Sequence, residues 1–177
     1  MNTTPGQSSN EVFDVVDAND QVIAQSTRAE VHAKRLVHRA VHILVSHPDG
    51  SLLLQQRSEH KDTYPLAWTT SCAGHLDAGE GYLEAALREI PEELGVAVAA
   101  DELRFLGKYP PSAETGWEFI EVYGLTHSGP FSAPPDEVRD LRFVPMQDLR
   151  EWILREPDAF APSFLYVLRN QHPGFAG

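Results

Sequence analysis

Cysteine and basic residues are scarce in this chain of 177 residues, and long apolar runs are absent. The single cysteine, Cys72, excludes an internal disulfide and indicates a reducing compartment. Lys and Arg total 14 against 26 Asp and Glu, and the net charge of −12 argues against duplex nucleic acid and anionic membranes as partners. No apolar stretch approaches the length of a transmembrane helix. Together these features predict a cytoplasmic protein.

Composition also predicts the domain organisation. Residues 1–10 are polar and contain no apolar signal segment, so we expect a flexible leader there. Hydrophobic residues make up 42% of the chain, enough for a sizeable core, and residues 11–177 are predicted to form one domain. The sequence leaves the oligomeric state open, and a homodimer is one candidate.

Strand and helix patterns alternate along the chain. Apolar alternation and turn signals predict strands over 13–17, 21–26, 38–47, 51–57, 68–74, 104–109, 119–126 and 141–144. The first two strands should form a hairpin, and so should the strands on either side of the turn at 48–50. Helices are predicted from a capping box at 27–30 onward to Leu36, and over 146–154 and 162–169. Strands flanked by helices indicate an α/β sandwich.

Three glutamates in a further predicted helix suggest a metal site. Glu89, Glu92 and Glu93 are spaced i, i+3 and i+4, so a helix places their carboxylates on one face. Three such acids repel one another unless a cation binds between them. Hard divalent cations with oxygen ligands, Mg²⁺ or Mn²⁺, suit this position. The alternative is an exposed face with ordinary i, i+4 pairs, such as Glu84 and Arg88.

The glycines at both ends of this helix extend the pattern. Residues 74–96 match G-x5-E-x7-R-E-U-x-E-E-x-G-U at every specified position, where U is aliphatic. This segment resembles the Nudix box, the signature of hydrolases that act on a nucleoside diphosphate linked to another group. The resemblance implies an α/β (α+β) fold, a Nudix-type α/β/α sandwich with a mixed central sheet and a catalytic carboxylate helix.

The resemblance assigns roles within the box. The carbonyl region of Gly74 should approach the metal together with Glu89, Glu92 and Glu93, and Arg88 should hold and orient the carboxylates. Three other residues have structural explanations: Glu80 suits the positive end of the helix dipole, Gly95 suits a left-handed helix cap, and Glu84 suits the helix surface. Pro91 removes a helical hydrogen bond, and a kink there would change the metal geometry.

Hydrolysis also requires a proton acceptor for the attacking water. In Nudix enzymes this base often lies outside the box, and the candidates here are Glu118 and Glu121 as well as a box glutamate. Glu118 and Glu121 are three residues apart in a predicted strand, so they face opposite sides of a sheet.

Most of the chain from Glu11 onward resembles the Nudix branch related to type I isopentenyl diphosphate isomerase, on segments 13–28, 39–57, 61–65 and 68–79 and the region 136–138. In that isomerase an arginine and a lysine four residues apart bind the diphosphate, which implies that role for Arg57 and Lys61. Its metal site uses histidines and glutamates, which implies a second metal at His38, His75 and Glu118. His75, beside the box glycine, is expected to meet substrate or metal.

Two departures separate the chain from the isomerase. The essential isomerase cysteine should directly precede Gly74, where this chain has Ala73; Cys72 is one place earlier, on the opposite face of a strand. A second isomerase glutamate is replaced by Gly116. Because the carboxylate helix is intact and the isomerase pair is lost, we predict a hydrolase on an isomerase-like frame. Isomerase activity is the alternative, and a non-catalytic diphosphate-binding module follows only if Pro91 has spoiled the site.

The sequence restricts the substrate only to a class. His38 and His42 are an even number apart and could share a metal, although polar positions on a half-exposed strand are the commoner explanation. Packing is likewise the commoner role for the aromatic residues Trp68, Tyr109, Trp117, Phe119 and Tyr123, which could also stack on a base. The predicted ligand is a small nucleoside diphosphate derivative or a similar organic diphosphate.

Overall fold

A computed structural model describes residues 10–175, in which a mixed sheet lies between helices. Its strands are β1 Val12–Val16, β2 Val22–Thr27, β3 His38–Ser46, β4 Leu52–Arg57, β5 Trp68–Thr69, β6 Cys72–His75, β7 Arg104–Tyr109, β8 Glu118–Thr126 and β9 Val138–Val144. Its helices are α1 Arg28–Lys34, α2 Tyr82–Leu94, α3 Met146–Arg155 and α4 Pro162–Gln171. The predicted 1–10 leader lies outside this part of the chain except for Asn10.

Seven strands form the main sheet, in the order β5-β4-β3-β8-β7, with β6 paired to β3 and β9 to β4. β3 runs parallel to β8 and antiparallel to β6, so the sheet is mixed, as predicted. β1 and β2 form the predicted hairpin as a separate two-stranded sheet. No helix within residues 10–175 is long and apolar enough to cross a membrane.

Two apolar clusters on opposite faces of the sheet make the sandwich. One contains Ala40 and Leu44 of β3 with Phe164 and Leu168 of α4, and Leu149 of α3. The other packs alternate β3 residues against α2 through its apolar stripe, which comprises Ala85, Ala86, Ile90 and Leu94. Because β3 is buried on both faces, its histidines are buried polar residues. The N-terminal end of β3 contributes to a cavity.

Two local expectations hold only in part. The strands on either side of the turn at 48–50 form the predicted antiparallel pair, but with a single register pair, Ser46 with Leu52, because β6 takes the rest of that edge of β3 and β5 takes the end of that edge of β4. The predicted strand 68–74 is broken into β5 and β6, which pair with different strands. The break buries Ser71, whose hydroxyl donates to the carbonyl of Leu53 (2.6 Å) and accepts from the Val45 amide (2.8 Å).

Candidate active site

A cavity of about 680 Å³ opens between α2, the ends of β3, β6 and β8, and the loop after β4. Nearly every site residue predicted from the sequence borders it: Arg57, Lys61, Gly74, His75, Arg88, Glu89, Glu92, Glu93 and Glu118. His38 touches the same region through His75. The cavity also has wall residues that sequence analysis did not single out, including Arg28, His32 and Glu137.

The acid face of α2 forms one wall. Glu89 and Glu93 are buried, whereas Glu92 is exposed at the rim. One oxygen of Glu93, Oε2, accepts hydrogen bonds from the side-chain amide of Gln55 (3.0 Å) and from the backbone of Ala73 (3.2 Å). Both donors reach the same oxygen, and the thiol of Cys72 also hydrogen-bonds to this carboxylate.

Gly74 makes room for Glu89. A Cβ atom at this position would lie 2.0 Å from Oε1 of Glu89 and 2.1 Å from its carboxyl carbon. Real Cβ contacts are never so short, so only glycine permits the carboxylate to lie against this stretch of backbone. This explains the first glycine of the motif by close approach rather than by backbone conformation.

Burial and mutual repulsion shape the charge of this wall. Loss of hydration, followed by the charge of Glu93, raises the pKa of Glu89 to about 8. Burial likewise raises the pKa of Glu93 above its ordinary value. Two neighbouring carboxylates with raised pKa values are typical of a site that binds a cation.

Pro91 does not interrupt α2, which runs continuously from Tyr82 to Leu94. Its ring is exposed, and its carbonyl accepts from the amide of Gly95, which closes the helix in the left-handed conformation (φ 69°). Glu89 and Glu93 therefore remain one turn apart on one buried face, and the kink envisaged from the sequence is not observed.

Arg88 holds the carboxylates in place. Its guanidinium donates to both oxygens of Glu80 (2.9 Å each), to Oε1 of Glu89 (2.6 Å) and to the carbonyl of His75 (3.0 Å). A longer contact of 3.4 Å reaches Glu92. Arg88 thus links the box loop to the helix, and Glu80 anchors this arginine besides lying near the helix start.

Replacing Arg88 with lysine should weaken activity without unfolding the protein. A single ammonium cannot reproduce the fork that contacts Glu80 and Glu89 at once. We expect activity to fall by roughly 10–100-fold, the usual cost of losing a group that orients metal ligands, with a raised divalent-metal requirement. Steady-state rates over a Mg²⁺ series test this. Arg139→Lys, on the exposed side of β9, is the matched control, and equal activity of both variants would contradict the role of Arg88.

Histidines form a second polar group in the cavity. Nε2 of His75 lies 3.0 Å from Oε1 of Glu118, and Nε2 of His38 lies 3.4 Å from the same oxygen. The structure adds His32 from α1, and one nitrogen from each of the three rings lies within 4.8 Å of the others. The structure thus brings together the predicted trio of His38, His75 and Glu118 and supplies a fourth member.

The protonation pattern of this cluster suits a cation. Nδ1 of His38 donates to the carbonyl of Leu36 (2.9 Å), so Nε2 is the nitrogen that faces the cluster. Nε2 of both His32 and His38 is buried without a hydrogen-bond partner. Burial lowers the pKa of His75 to about 4, so its ring is neutral at physiological pH. Neutral imidazoles with free lone pairs are metal ligands.

The two candidate bases outside the box face opposite sides of β8. Glu118 faces the cavity, whereas Glu121 binds the hydroxyl of Tyr123 (2.8 Å) and pairs with Lys108. Burial opposes the charged form of Glu118, but the adjacent His38 and His75 rings hold its pKa well below the ordinary range. A carboxylate of low pKa is a weak proton acceptor.

His42 is not part of the histidine cluster. It lines the cavity from the same face of β3 as His38, and its Nδ1 lies 3.2 Å from the hydroxyl of Thr70. Burial lowers its pKa to about 4. The ring is therefore a neutral, hydrogen-bonded wall residue rather than a polar position on a half-exposed strand.

Arg57 and Lys61 face the cavity but are already engaged. Arg57 donates to the carbonyl (2.9 Å) and to the hydroxyl (3.2 Å) of Thr63, and Lys61 forms a buried ion pair with Glu137. Glu137 was not identified from the sequence as a site residue, because its approach depends on the contact between the loop after β4 and residues 134–138. Arg57 and Lys61 thus both line the cavity, and their diphosphate-binding role stays a prediction.

Cys72 and Ala73 behave as alternation predicts. Cys72 is fully buried in the α2 cluster, where burial raises its pKa, and Ala73 lines the cavity. The aromatic residues proposed for stacking lie elsewhere: Trp68 and Phe119 are buried, and Trp117 is exposed. Phe13 and Tyr64 border the cavity instead, and the Phe13 ring stacks on His75 with centroids 4.8 Å apart.

Comparison with known proteins shows the family and the fold. The NUDIX domain family model matches residues 36–164, well over half of the chain. A Nudix hydrolase of Yersinia pestis described as uncharacterized is 36% identical over 167 residues, covering 89% of this chain and 84% of that protein. An isopentenyl-diphosphate Delta-isomerase of Serratia proteamaculans is 32% identical and covers 90% of both chains.

Solved structures show the same fold. The crystal structure of DR0079 from Deinococcus radiodurans superimposes with a TM-score of 0.80 at 26% identity, covering 92% of this chain and 99% of the other. The chain belongs to the Nudix family. Within it, the chain is a Nudix hydrolase, an enzyme of the pyrophosphohydrolase type.

Proposed function

We propose that this enzyme is a divalent-metal-dependent hydrolase that cleaves the pyrophosphate linkage of a small nucleoside diphosphate derivative or a related organic diphosphate. The observation that carries the proposal is the burial of Glu89 and Glu93 side by side at the wall of a cavity, with Glu89 held against Gly74. Buried like charges are unfavourable without a cation, and a diphosphate requires one to approach carboxylates.

Mg²⁺ or Mn²⁺ suits the oxygen donors of the α2 wall. Glu89, Glu93 and the Gly74 carbonyl would hold it, with Glu92 contributing from the rim. Such a cation would offset the charge of the substrate phosphates and make water a better nucleophile. The histidine cluster, with nitrogen donors from His32, His38 and His75, suits a softer divalent ion, and we propose it as a second metal site with Glu118.

Other wall residues would bind and orient the substrate. Arg57 and Lys61 supply positive charge to the cavity, within electrostatic range of Glu93, which suits the binding of a diphosphate. A carboxylate of the α2 wall would take the proton from the attacking water. The low pKa of Glu118 instead fits it to hold the histidines in place.

The carboxylate wall predicts an unusual pH dependence of stability. The pKa of Glu89 is raised from an ordinary 4.5 to about 8 in the folded protein, so folding favours its protonated form. That contribution is complete below about pH 4.5 and is lost as the pH rises toward 8. We expect the Tm of the metal-free protein, measured in EDTA, to fall between pH 5 and 8, and Mg²⁺ to oppose the fall because it binds the ionised carboxylates. Glu89→Gln should flatten the profile; an unchanged slope would contradict the assignment.

Isomerase activity is a second candidate, favoured by the Serratia relative and by the histidine cluster. The position before Gly74 argues against it, because Ala73 lines the cavity where the isomerase pattern requires cysteine, and Cys72 is fully buried against α2 with its thiol bonded to Glu93. An alanine cannot transfer a proton to an alkene.

Product analysis on a panel of diphosphates with Mg²⁺, including nucleoside diphosphate sugars, dinucleotides and isopentenyl diphosphate, distinguishes these functions. Phosphate or nucleotide release that stops with chelator is the expected result. Rearranged isopentenyl diphosphate without phosphate release would establish the isomerase instead. A divalent-independent Tm and no product from any compound would indicate a binding module.

Three expectations remain predictions: the single domain over 11–177, a cytoplasmic location and the homodimer. Size-exclusion chromatography with light scattering would test the last. The acidic composition continues to argue against duplex nucleic acid as a partner, and an absence of retention on a duplex DNA column at low salt would agree with this.

A further inference from the structure

His42 is a buried polar side chain in the cavity wall to which the proposed hydrolysis assigns no role. It lies on β3 four residues after His38, so the two Cα atoms are about 13 Å apart along the strand. The ring is 4% exposed and borders the cavity. One ring nitrogen, Nδ1, lies 3.2 Å from the hydroxyl of Thr70. His42 is therefore separate from the histidine cluster and needs its own explanation.

The other ring nitrogen of His42, Nε2, has no hydrogen-bond partner among the residues that the structure describes. In contrast to Nε2 of His32 and His38, this nitrogen is not sealed inside the protein. A buried polar atom without a partner costs about 1–3 kcal/mol, and native structures contain few of them. Because the ring borders the cavity, the group that bonds Nε2 must come from the cavity.

The part of the cavity beside His42 has room for an organic group. His42 shares its face of β3 with Ala40 and Leu44, which pack toward α4. Its register partner on β6 is Ala73. The cavity lining here consists of small side chains, namely Ala40, Ala73 and Ala161. A cavity of about 680 Å³ lies within the range of small-molecule sites, so it can hold more than a diphosphate.

Arg57 connects this part of the cavity with the proposed diphosphate position. Its charge is within electrostatic range of both His42 and Glu93. A diphosphate that binds Arg57 near the α2 carboxylates would therefore bring the first atoms of its organic group close to His42.

A hydroxyl group is the partner that suits Nε2 of His42. The Thr70 hydroxyl has one proton, which it donates either to Nδ1 of His42 or to the carbonyl of Cys72 (3.3 Å). In the first case Nε2 carries the ring proton and donates, and in the second case Nε2 accepts. A hydroxyl both donates and accepts, so it satisfies Nε2 in either case. An alkyl group satisfies neither.

We propose that His42 is a specificity-determining residue whose Nε2 hydrogen-bonds a hydroxyl on the organic group of the substrate, so that the cavity selects a sugar-bearing diphosphate over an alkyl or alkenyl diphosphate. This rests on the proposed function, because the diphosphate site holds the other end of the ligand. A site that bonds a hydroxyl rejects the analogue without it, since the protein group is then left unpaired. An isopentenyl group would leave Nε2 in that state.

Two esters of methylenediphosphonate, which has a non-hydrolysable P–C–P bond, test the selection. One ester carries ribose through its 5-hydroxyl, and the other carries a cyclopentylmethyl group, a ring of the same size without oxygen. Calorimetry with Mg²⁺ gives each affinity relative to bare methylenediphosphonate. We expect the unmodified protein to bind the ribose ester at least about fivefold more tightly than the cyclopentylmethyl ester. Equal affinities, or the reverse preference, would overturn the proposal.

Two variants assign the preference to Nε2. His42→Met removes the polar atom, whereas His42→Gln keeps an amide group near the position of Nε2. The methionine variant should lose the preference for ribose, and the glutamine variant should keep most of it. His172→Met, on an exposed position outside the cavity, is the matched control and should keep all of it. A ribose preference that survives in His42→Met would contradict the proposal. So would an equal loss of affinity for bare methylenediphosphonate, because His42 would then contact the phosphates.

Imidazole ¹⁵N shifts of the unmodified protein test the same contact without a substitution in the wall. The Nε2 resonance of His42 should move when the ribose ester binds and move less with the cyclopentylmethyl ester. Equal shifts would overturn the contact. If bare methylenediphosphonate did not bind in the presence of Mg²⁺, the proposed function and this inference would fall together. If it bound and the ribose preference were absent, only this inference would fall.

Discussion

Replacing Glu93 with glutamine is expected to abolish turnover while leaving the fold intact and somewhat more stable. The amide oxygen of glutamine can take the place of Oε2 and keep the hydrogen bonds from Gln55 and Ala73. The amide nitrogen then replaces Oε1, the oxygen that we expect to bind the cation, and an amide N–H cannot coordinate a metal. The substitution therefore removes one ligand and almost nothing else.

The magnitude follows from the role of the ligand. A bound cation contributes several kcal/mol of charge stabilisation in the transition state, and each 1.36 kcal/mol corresponds to about tenfold in rate. We expect kcat/KM to fall by about three orders of magnitude. The Tm in EDTA should rise, because burial penalises the ionised form of Glu93 and glutamine is neutral.

Glu84→Gln is the matched control on the same helix. Glu84 is exposed and its carboxylate accepts from the amide of Gly81 at 2.9 Å, an interaction that glutamine also makes. Activity within about twofold of the unmodified enzyme is expected there. If Glu93→Gln were as active as Glu84→Gln, the metal assignment on α2 would be wrong.

The carboxylate wall was predictable because it depends on residues that are close together in the sequence. Glu89, Glu92 and Glu93 lie within two turns of one helix, and the periodicity of a helix alone places them together. What the helix period does not determine is depth: Glu92 is exposed and the other two are buried, which depends on where α2 packs against β3 and β6.

The histidine cluster was only partly predictable because it joins distant elements. His38 and His75 were identified through resemblance, but His32 reaches them only because α1 packs beside β1 and β2. A usable signal existed: Arg28 and His32 are four residues apart in a predicted helix, so they share a face. Nothing in the sequence indicated that this face would close the cavity rather than meet solvent.

Strand pairing was the weakest part of the sequence prediction. The turn at 48–50 suggested a hairpin, and it forms, yet β3 and β4 share only one pair before β6 pairs with β3 and β5 pairs with β4, while β9 takes the other edge of β4. Turn chemistry is local, whereas the choice of neighbour depends on which apolar faces remain to be buried. The divergence of β3 and β4 leaves space for β6, which brings Gly74 and His75 to the cavity.

Replacing Gly74 with alanine is expected to have the largest effect of any change that adds only one methyl group. The new Cβ would lie 2.0 Å from Oε1 of Glu89 and 2.7 Å from its Cγ, so the whole side chain must rotate away. Rotation breaks the bond to Arg88 (2.6 Å) and withdraws the carboxylate from the proposed metal position. We expect activity to fall by about 10²–10³-fold, with about 1–3 kcal/mol of destabilisation from overpacking.

Gly81→Ala provides the control, because its Cβ would approach no atom more closely than 3.3 Å, to Oε2 of Glu84. A double-mutant cycle makes the argument specific. In a Glu89→Ala background the side chain that Gly74→Ala displaces is absent, so adding the methyl group should cause little further loss of residual activity or of Mg²⁺-dependent stabilisation. Additive losses would show that Gly74 acts through something other than Glu89. Non-additive losses would establish that this glycine is present in the motif because a carboxylate must lie against the backbone at that point.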